Sequence, residues 1–212
     1  MRPVRPVYIA AQAVTPFIGK GHPDFILKGH PDFGKRDNPT LEDHLVGVVR
    51  QVLEEYQIDP RLIQRGYVGN FAGELFSSQG FLGAMLGRAD ERLAGIGCAR
   101  VEAACASGGV GIVGAIESIQ AGLDVALVVG AEVQTTVRAR EGADYLARAA
   151  HYVTERSLDD FTFPALLARR AKAYKEAYGI TDRDLAHFSV KAYANANRNP
   201  LAHMHAVKMT LE

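Results

Sequence analysis

The segment VEAACASGGVGIVGAIESIQAG, Val101–Gly122, sets one cysteine, Cys105, directly before a run of very small residues that passes into an apolar helix. Ala99–Ala104 reads as a strand leading into the thiol. Val110–Ala121 reads as the helix, broken at Gly122. The first turn of a helix carries N–H groups without intrahelical partners and the positive end of the helix dipole. Both favour a thiolate over a thiol, and the same N–H groups can hydrogen-bond the oxygen of an acyl group carried on sulfur. Ala106, Ser107, Gly108 and Gly109 let a substrate carbonyl and neighbouring backbone approach closely. Gly108, Gly109, Gly111 and Gly114 each weaken the helix by about 1 kcal/mol against alanine, so close packing must offset them and the helix is expected to be central and buried. Free cysteine is usually a small core hydrophobe. That reading is given to Cys98, and a chemical role to Cys105.

Outward from this segment, VALVVGAE, Val125–Glu132, is a near-continuous apolar run, as expected of a strand buried on both faces. Tyr67–Phe71 follows Gly66 as a short strand, and Val4–Ala10 reads as a first strand with Pro6 near its start. Between them, Thr40 and Asp43 form a capping-box pattern ahead of Leu41, Leu45, Val48, Val49, Val52 and Tyr56 at helical spacing. Gln79–Leu86 reads as a short helix. Val4–Glu132 is therefore β-α-β-α-β-α-β, the order of an α/β fold with a parallel or mixed sheet. Past Glu132 the chain becomes charged and helical. FPALLARRAKAYKEAYG is an amphipathic helix closed by Gly179, and a second Thr-x-x-Asp box at Thr181–Asp184 starts another that runs toward Pro200. The expected division is an α/β half over 1–133 and a helical domain over 134–212.

Composition narrows the function. Lys+Arg and Asp+Glu are equal at 24 each in 212 residues, so no global basic field points to nucleic acid. No apolar run reaches the ~18 residues of a membrane helix. The N-terminus lacks the apolar core of a signal peptide. Two cysteines that are not spaced CxxC make neither a disulfide framework nor a zinc site. A cytoplasmic, reducing compartment with no membrane insertion is the default. The hexapeptide KGHPDF occurs twice, at 20–25 and 28–33. His22, Asp24, His30 and Asp32 could gather a metal, but a Gly/Pro-punctuated surface loop pinned by its phenylalanines is the simpler reading, and no metal is expected. Neither GxGxxG after a strand nor GxxxxGK[ST] is present, which argues against a nucleotide fold.

The run EAACASGGVGIVGAIESIQAGLDVALVVGAE resembles the nucleophile region of thiolases, closest in style to the sterol-carrier-protein-x and archaeal type of acetyl-CoA acetyltransferase. Cys105, Ser107, Gly108, Gly109, Gly122 and Gly130–Glu132 carry that resemblance. VTPFIGK resembles the family's Thr-Pro-Phe start, and ARRAKAYKEAYGITDRDLAHFSVKAYANANRNPLA its helical loop domain with an Asn-Pro ending. The resemblance extends from Val7 to about Ala202. It implies a thiolase-like fold: one N-terminal half plus a loop domain, with Cys105 taking the acyl group from coenzyme A. The activity implied is Claisen condensation or thiolytic cleavage of a β-ketoacyl-CoA. Ketoacyl synthases carry a similar cysteine and form an alternative. A non-catalytic coenzyme A-binding or assembly subunit is another.

Thiolases of this type are about twice as long and built from two similar halves, the second supplying a catalytic histidine, a second cysteine and an oxyanion residue. Of the seven histidines, His22 and His30 do stand between a glycine and a proline, but in the KGHPDF repeats read as a surface loop; none is assigned as the family's base, and His203 and His205 read as helix-end or loop residues. The chain is accordingly expected to be a fragment or one subunit of a split enzyme, lacking the C-terminal half. In the family the cysteine helix lies between two sheets. Here Val110, Ile112, Val113, Ile116 and Ile119 are expected to be partly bare. The partners implied are an acyl-CoA, a second copy pairing through Ala99–Ala104, and a chain supplying the missing half. Coenzyme A enters as substrate, with no cofactor. Arg138, Arg140, Arg148 and Arg156 are the candidates for its phosphates.

Overall fold

The computed structural model describes residues 5–212. Two compact units form. Among the described residues, one comprises 5–14 with Pro39–Val137, the other Thr15–Asn38 with Arg138–Glu212. This division differs from 1–133 and 134–212, because the loop carrying the two KGHPDF repeats clusters with the helical residues. Phe17 N–H donates to the Leu201 carbonyl at 2.9 Å, and His203 Nε2 lies 3.0 Å from the Lys20 carbonyl oxygen. Contacts so distant in sequence leave no trace in local periodicity.

The first unit is built on a parallel three-stranded sheet: β1 (Arg65–Gly69), β2 (Gly97–Val101) and β3 (Ala126–Gly130), in the order β2-β1-β3. Register is regular, with Tyr67 opposite both Ala99 and Val128. The helix α1 (Leu41–Glu55) precedes β1. The short helices α2 (Gly73–Ser77) and α3 (Leu86–Ala89) connect β1 to β2, and α4 (Ser107–Gln120) connects β2 to β3. The Thr40–Asp43 capping box forms, with both reciprocal hydrogen bonds. One face of the sheet, with Val68 and Val129, meets Leu41, Leu45, Val49 and Leu53 of α1 and Leu82, Leu86 and Leu93 of the β1–β2 connection in a single core.

The other face carries α4. Because β2 and β3 flank β1, the helix that joins them must cross the central strand. Gly69 makes that crossing possible: a Cβ there would lie 2.8 Å from the backbone of Gly108. Ser107, Gly111, Gly114 and Ser118, at helical spacing, line the seated side. A Cβ on Gly114 would stand 2.9 Å from the Tyr67 ring, and the Tyr67 hydroxyl bonds Ser118 Oγ at 2.8 Å. The expectation of a central, buried α4 holds only on this seated side, and the partly bare outer face expected of the cysteine helix is present. Val110, Ile112, Val113 and Ile116 remain 39–52% exposed on its outer side.

The expected first strand does not form over residues 5–10, and Val4 lies outside the described residues. Tyr8 and Ile9 are 80% and 85% exposed, with no ladder partner. The segment is tied instead by Arg5, whose guanidinium donates to the Leu123 carbonyl at 2.8 Å beside the Asp124 carboxylate. The α/β half is therefore αβαβαβ in order. The predicted helix over 79–86 is a 3-10 turn, Leu82–Met85, running into α3.

The second unit contains α5 (Ala139–Leu146), α6 (Tyr152–Glu155), α7 (Thr162–Tyr178) and α8 (Asp182–Ala196). Gly179 closes α7 in the left-handed conformation, φ 66°, and the Thr181–Asp184 box caps α8. The KGHPDF repeats build two equivalent turns. Phe25 N–H donates to the His22 carbonyl, and Phe33 N–H to that of His30, each at 3.0 Å. His22 Nδ1 and His30 Nδ1 accept from the Asp24 and Asp32 N–H groups, each at 3.1 Å. Among the described residues no three His, Cys, Asp or Glu side chains gather as a metal site, and no helix is long and apolar enough to cross a membrane.

Candidate active site

The connection after β1 turns toward the α1 face of the sheet, and the one after β2 toward the α4 face. Connections that part in this way open a crevice at the carboxyl ends of parallel strands, where α/β folds place their ligands. Cys105 stands in the loop after β2, two residues before α4, and is exposed. Ala106 supplies no side-chain cap to α4, which leaves the helix's first-turn N–H groups for other acceptors. α4 begins three residues earlier than its apolar periodicity suggests, so the small residues Ser107–Gly109 are the first turn itself.

The loop is held from both sides. Ser107, 4% exposed, donates through Oγ to the Ala104 carbonyl at 2.7 Å and accepts from the Ala103 N–H at 3.0 Å. The Glu102 carboxylate accepts from the Ala104 N–H. Ala104 takes a left-handed backbone, φ 49°.

A polar frame stands at the end of β1. Asn70, 2% exposed, accepts from the Gly73 N–H at 2.9 Å and donates to the Ala131 carbonyl at 2.8 Å. The Glu132 carboxylate accepts from the Phe71 N–H at 2.9 Å and from the Asn70 amide at 3.2 Å. The Arg100 guanidinium donates to the Phe71 carbonyl at 2.7 Å and pairs with Glu74. Sequence reasoning noted Glu132 only within a signature and missed Asn70 and Arg100. An arginine inside a short strand, between small neighbours, was the available signal: it must find partners within reach of its own sheet.

Cys98 packs against the core side of the sheet, and burial pushes its thiol up from the ordinary value, with Arg65 opposing. The four arginines belong to the second unit. Arg148 and Arg156 come together on Asp144, at 2.6 and 2.9 Å. Tyr152 also donates to Asp144, at 3.0 Å, and the Arg148 guanidinium lies 4.1 Å from the centre of its ring. The carboxyl of Asp144 is held down at about 2, first by the Arg148 hydrogen bond, against some desolvation, then by Arg156 and Tyr152. Arg140 pairs with Asp160 at 2.6 Å, and Arg138 is the N-cap residue of α5. His205 Nδ1 lies 3.2 Å from the Ala196 carbonyl oxygen.

Residues 32–209 match the family model of the thiolase N-terminal domain. The chain belongs to the thiolase family. The resemblance carried by the cysteine segment thus extends over most of this thiolase domain. A relative from Methanocaldococcus jannaschii, named acetyl-CoA acetyltransferase, is 34% identical over 163 residues, 76% of this chain and 40% of its own length. One of the same name from Methanothermobacter thermautotrophicus is 32% identical over 162 residues, 76% and 41% of the two chains. Benzoylsuccinyl-CoA thiolase subunit BbsB from Thauera aromatica is 30% identical over 159 residues, 72% and 38%. The chain spans about two fifths of the length of the curated relatives it matches.

Proposed function

We propose that this chain carries the acyl-accepting site of a thiolase-type acyl-CoA acyltransferase, with Cys105 as nucleophile. The observation that carries the reading is the position of Cys105: exposed, at the strand-to-helix junction of a thiolase N-terminal domain. The sulfur attacks the thioester carbonyl carbon. The bond to the coenzyme A sulfur breaks, coenzyme A leaves with the proton as its thiol, and the acyl group rests on Cys105. A carbanion from a second acyl-CoA then displaces Cys105, giving a β-ketoacyl-CoA. Run backwards, the same steps cleave one. The first-turn N–H groups of α4 are the candidates for stabilising the oxyanion. Both proton transfers need a base, a role assigned to none of the seven histidines here.

The bare valines and isoleucines of α4 support a covering layer, supplied by a second copy or by a chain that completes the thiolase fold. That the Thauera aromatica relative is named a subunit supports such an assembly. For the coenzyme A phosphates, Arg138 is the member of the arginine set that no carboxylate engages among the described residues. Arg140, Arg148 and Arg156 would have to share their charge with Asp160 or Asp144.

Intact-mass measurement after incubation with acetyl-CoA, beside Cys105→Ala, tests the reading. The expected result is a gain of one acetyl group, absent from the variant. If no adduct forms on the chain, alone or with a copurifying partner, the acyl-transfer reading is lost in favour of a non-catalytic assembly role.

A further inference from the structure

We infer that Glu102 is a positioning residue for Cys105: its carboxylate, with the Ser107 hydroxyl, holds the left-handed backbone at Ala104 from which the thiol is presented. The inference rests on the reading of Cys105 as nucleophile. Positive φ is disfavoured for any residue that carries a Cβ. Such a conformation persists only where the surroundings over-determine it, and here they do. The Ala104 N–H is bound by Glu102. The Ala104 carbonyl accepts from the Ser107 hydroxyl at 2.7 Å and from the Ser107 N–H at 3.2 Å. One residue earlier, the Ala103 N–H donates to Ser107 Oγ, and the Ala103 carbonyl accepts from the Ala106 N–H at 2.9 Å.

Ser107 is buried and anchored in α4, so its side of the tether is rigid. Glu102 is the exposed half, with no other hydrogen bond or ion pair among the described residues, and it bonds only two residues ahead. Its charge is not what it contributes. A carboxylate disfavours the anionic form of a neighbouring acid, which runs against thiol activation. Its contribution is the hydrogen bond, which fixes the peptide just before the nucleophile. A glycine at position 104 would adopt the same backbone without strain but would also leave it readily. Alanine with two tethers gives one fixed presentation.

The test uses the full chain and two readouts, acetylation of Cys105 by acetyl-CoA and its alkylation by iodoacetamide, with Cys98 as an internal report on folding. Glu102→Ala is expected to slow both reactions about tenfold, as a misplaced reacting group does. Glu102→Gln keeps the acceptor and is expected to stay within about twofold of the parent rate. Ala104→Gly, added to Glu102→Ala, removes the left-handed penalty and is expected to recover most of the loss. Equal effects of the Gln and Ala variants would show that charge acts, and would overturn the inference. So would an unchanged rate in Glu102→Ala, or a loss accompanied by new alkylation of Cys98. If the parent chain takes no acetyl group while the alkylation series behaves as stated, the positioning role stands and the acyl-transfer reading fails.

Discussion

Helices α1 and α4 lie against opposite faces of the same three-stranded sheet, yet they are seated by different chemistry. α1 buries Leu41, Leu45, Val46, Val49 and Leu53 and turns its charged side outward. Only Ser107, Gly111 and Ser118 of α4 are fully buried, although α4 is the more apolar helix. Its branched side chains point away from the sheet and stay exposed. α1 is held by the removal of large apolar surface from water. α4 is held by backbone approach across Gly69, Gly111 and Gly114, which brings many weak contacts to short range. A helix that rests on its small residues leaves its large ones bare, and Cys105 stands just before its first turn.

The largest effect is expected from breaking the α1 seat. Leu45 is fully buried, and Leu45→Ala is expected to lower unfolding stability by about 3 kcal/mol through lost transfer energy and a residual cavity. Urea denaturation measures this directly. Next is the α4 seat itself. In Gly69→Ala the new methyl meets the Gly108 backbone at 2.8 Å, which no side-chain rotation relieves. The expected cost is about 2 kcal/mol, with a changed Tyr67 signal because the Tyr67–Ser118 bond must shift with the helix. A cost near zero would mean that α4 is not held by close approach.

A smaller contrast lies at the helix starts. α1 has a capping box and α4 has no side-chain cap. Thr40→Ala is expected to cost about 1 kcal/mol at neutral pH, whereas Ala106 has no such bond to lose. The box also carries a pH signature. The Asp43 carboxyl is held below its ordinary 3.8, foremost by the Thr40 N–H and then by the Thr40 hydroxyl. A carboxyl lowered in the folded state contributes stability above its unfolded value and loses it as pH falls through the folded one. The stability difference between the parent chain and Asp43→Asn is therefore expected at neutral pH and should shrink as the solution becomes more acid than pH 3.8. Denaturation at a series of pH values checks the sign.

Local patterns made α1, both capping boxes, the Gly179 stop and the approximate places of three strands legible in the sequence. Each is written in a few adjacent residues: a Thr-x-x-Asp, a helical stripe, an apolar run. The strand-to-helix junction around Cys105 was legible for the same reason, since the strand, the thiol and the small residues are contiguous. What the sequence hid depends on distant partners. Val4–Ala10 has the composition of a strand, but a strand needs a ladder, and Arg5 instead binds the turn after α4. The Thr15–Asn38 loop joins the second unit through Phe17–Leu201 and Lys20–His203, bonds across more than 180 residues. The Asn70–Glu132–Arg100 frame draws on three separate segments. The stripe Ser107-Gly111-Gly114-Ser118 was present in the sequence, but its seat, Gly69 and Tyr67, belongs to a strand distant in the chain.

The smallest effect is the sharpest comparison. Val113 is 52% exposed on the outer side of α4, so Val113→Ser removes little packing and should change stability by no more than about 0.5 kcal/mol. The chemically similar truncation at Val49, which is 1% exposed in the α1 core, removes a buried side chain and should cost several times more. The ratio of the two costs, measured at low protein concentration, reports whether the outer face of α4 is bare. A cost at Val113 that rises with protein concentration would show that a second copy covers it, because association then adds to the stability of the folded state by mass action. A cost at Val113 equal to that at Val49 at every concentration would break the comparison, since it would mean that α4 is seated by its large residues after all.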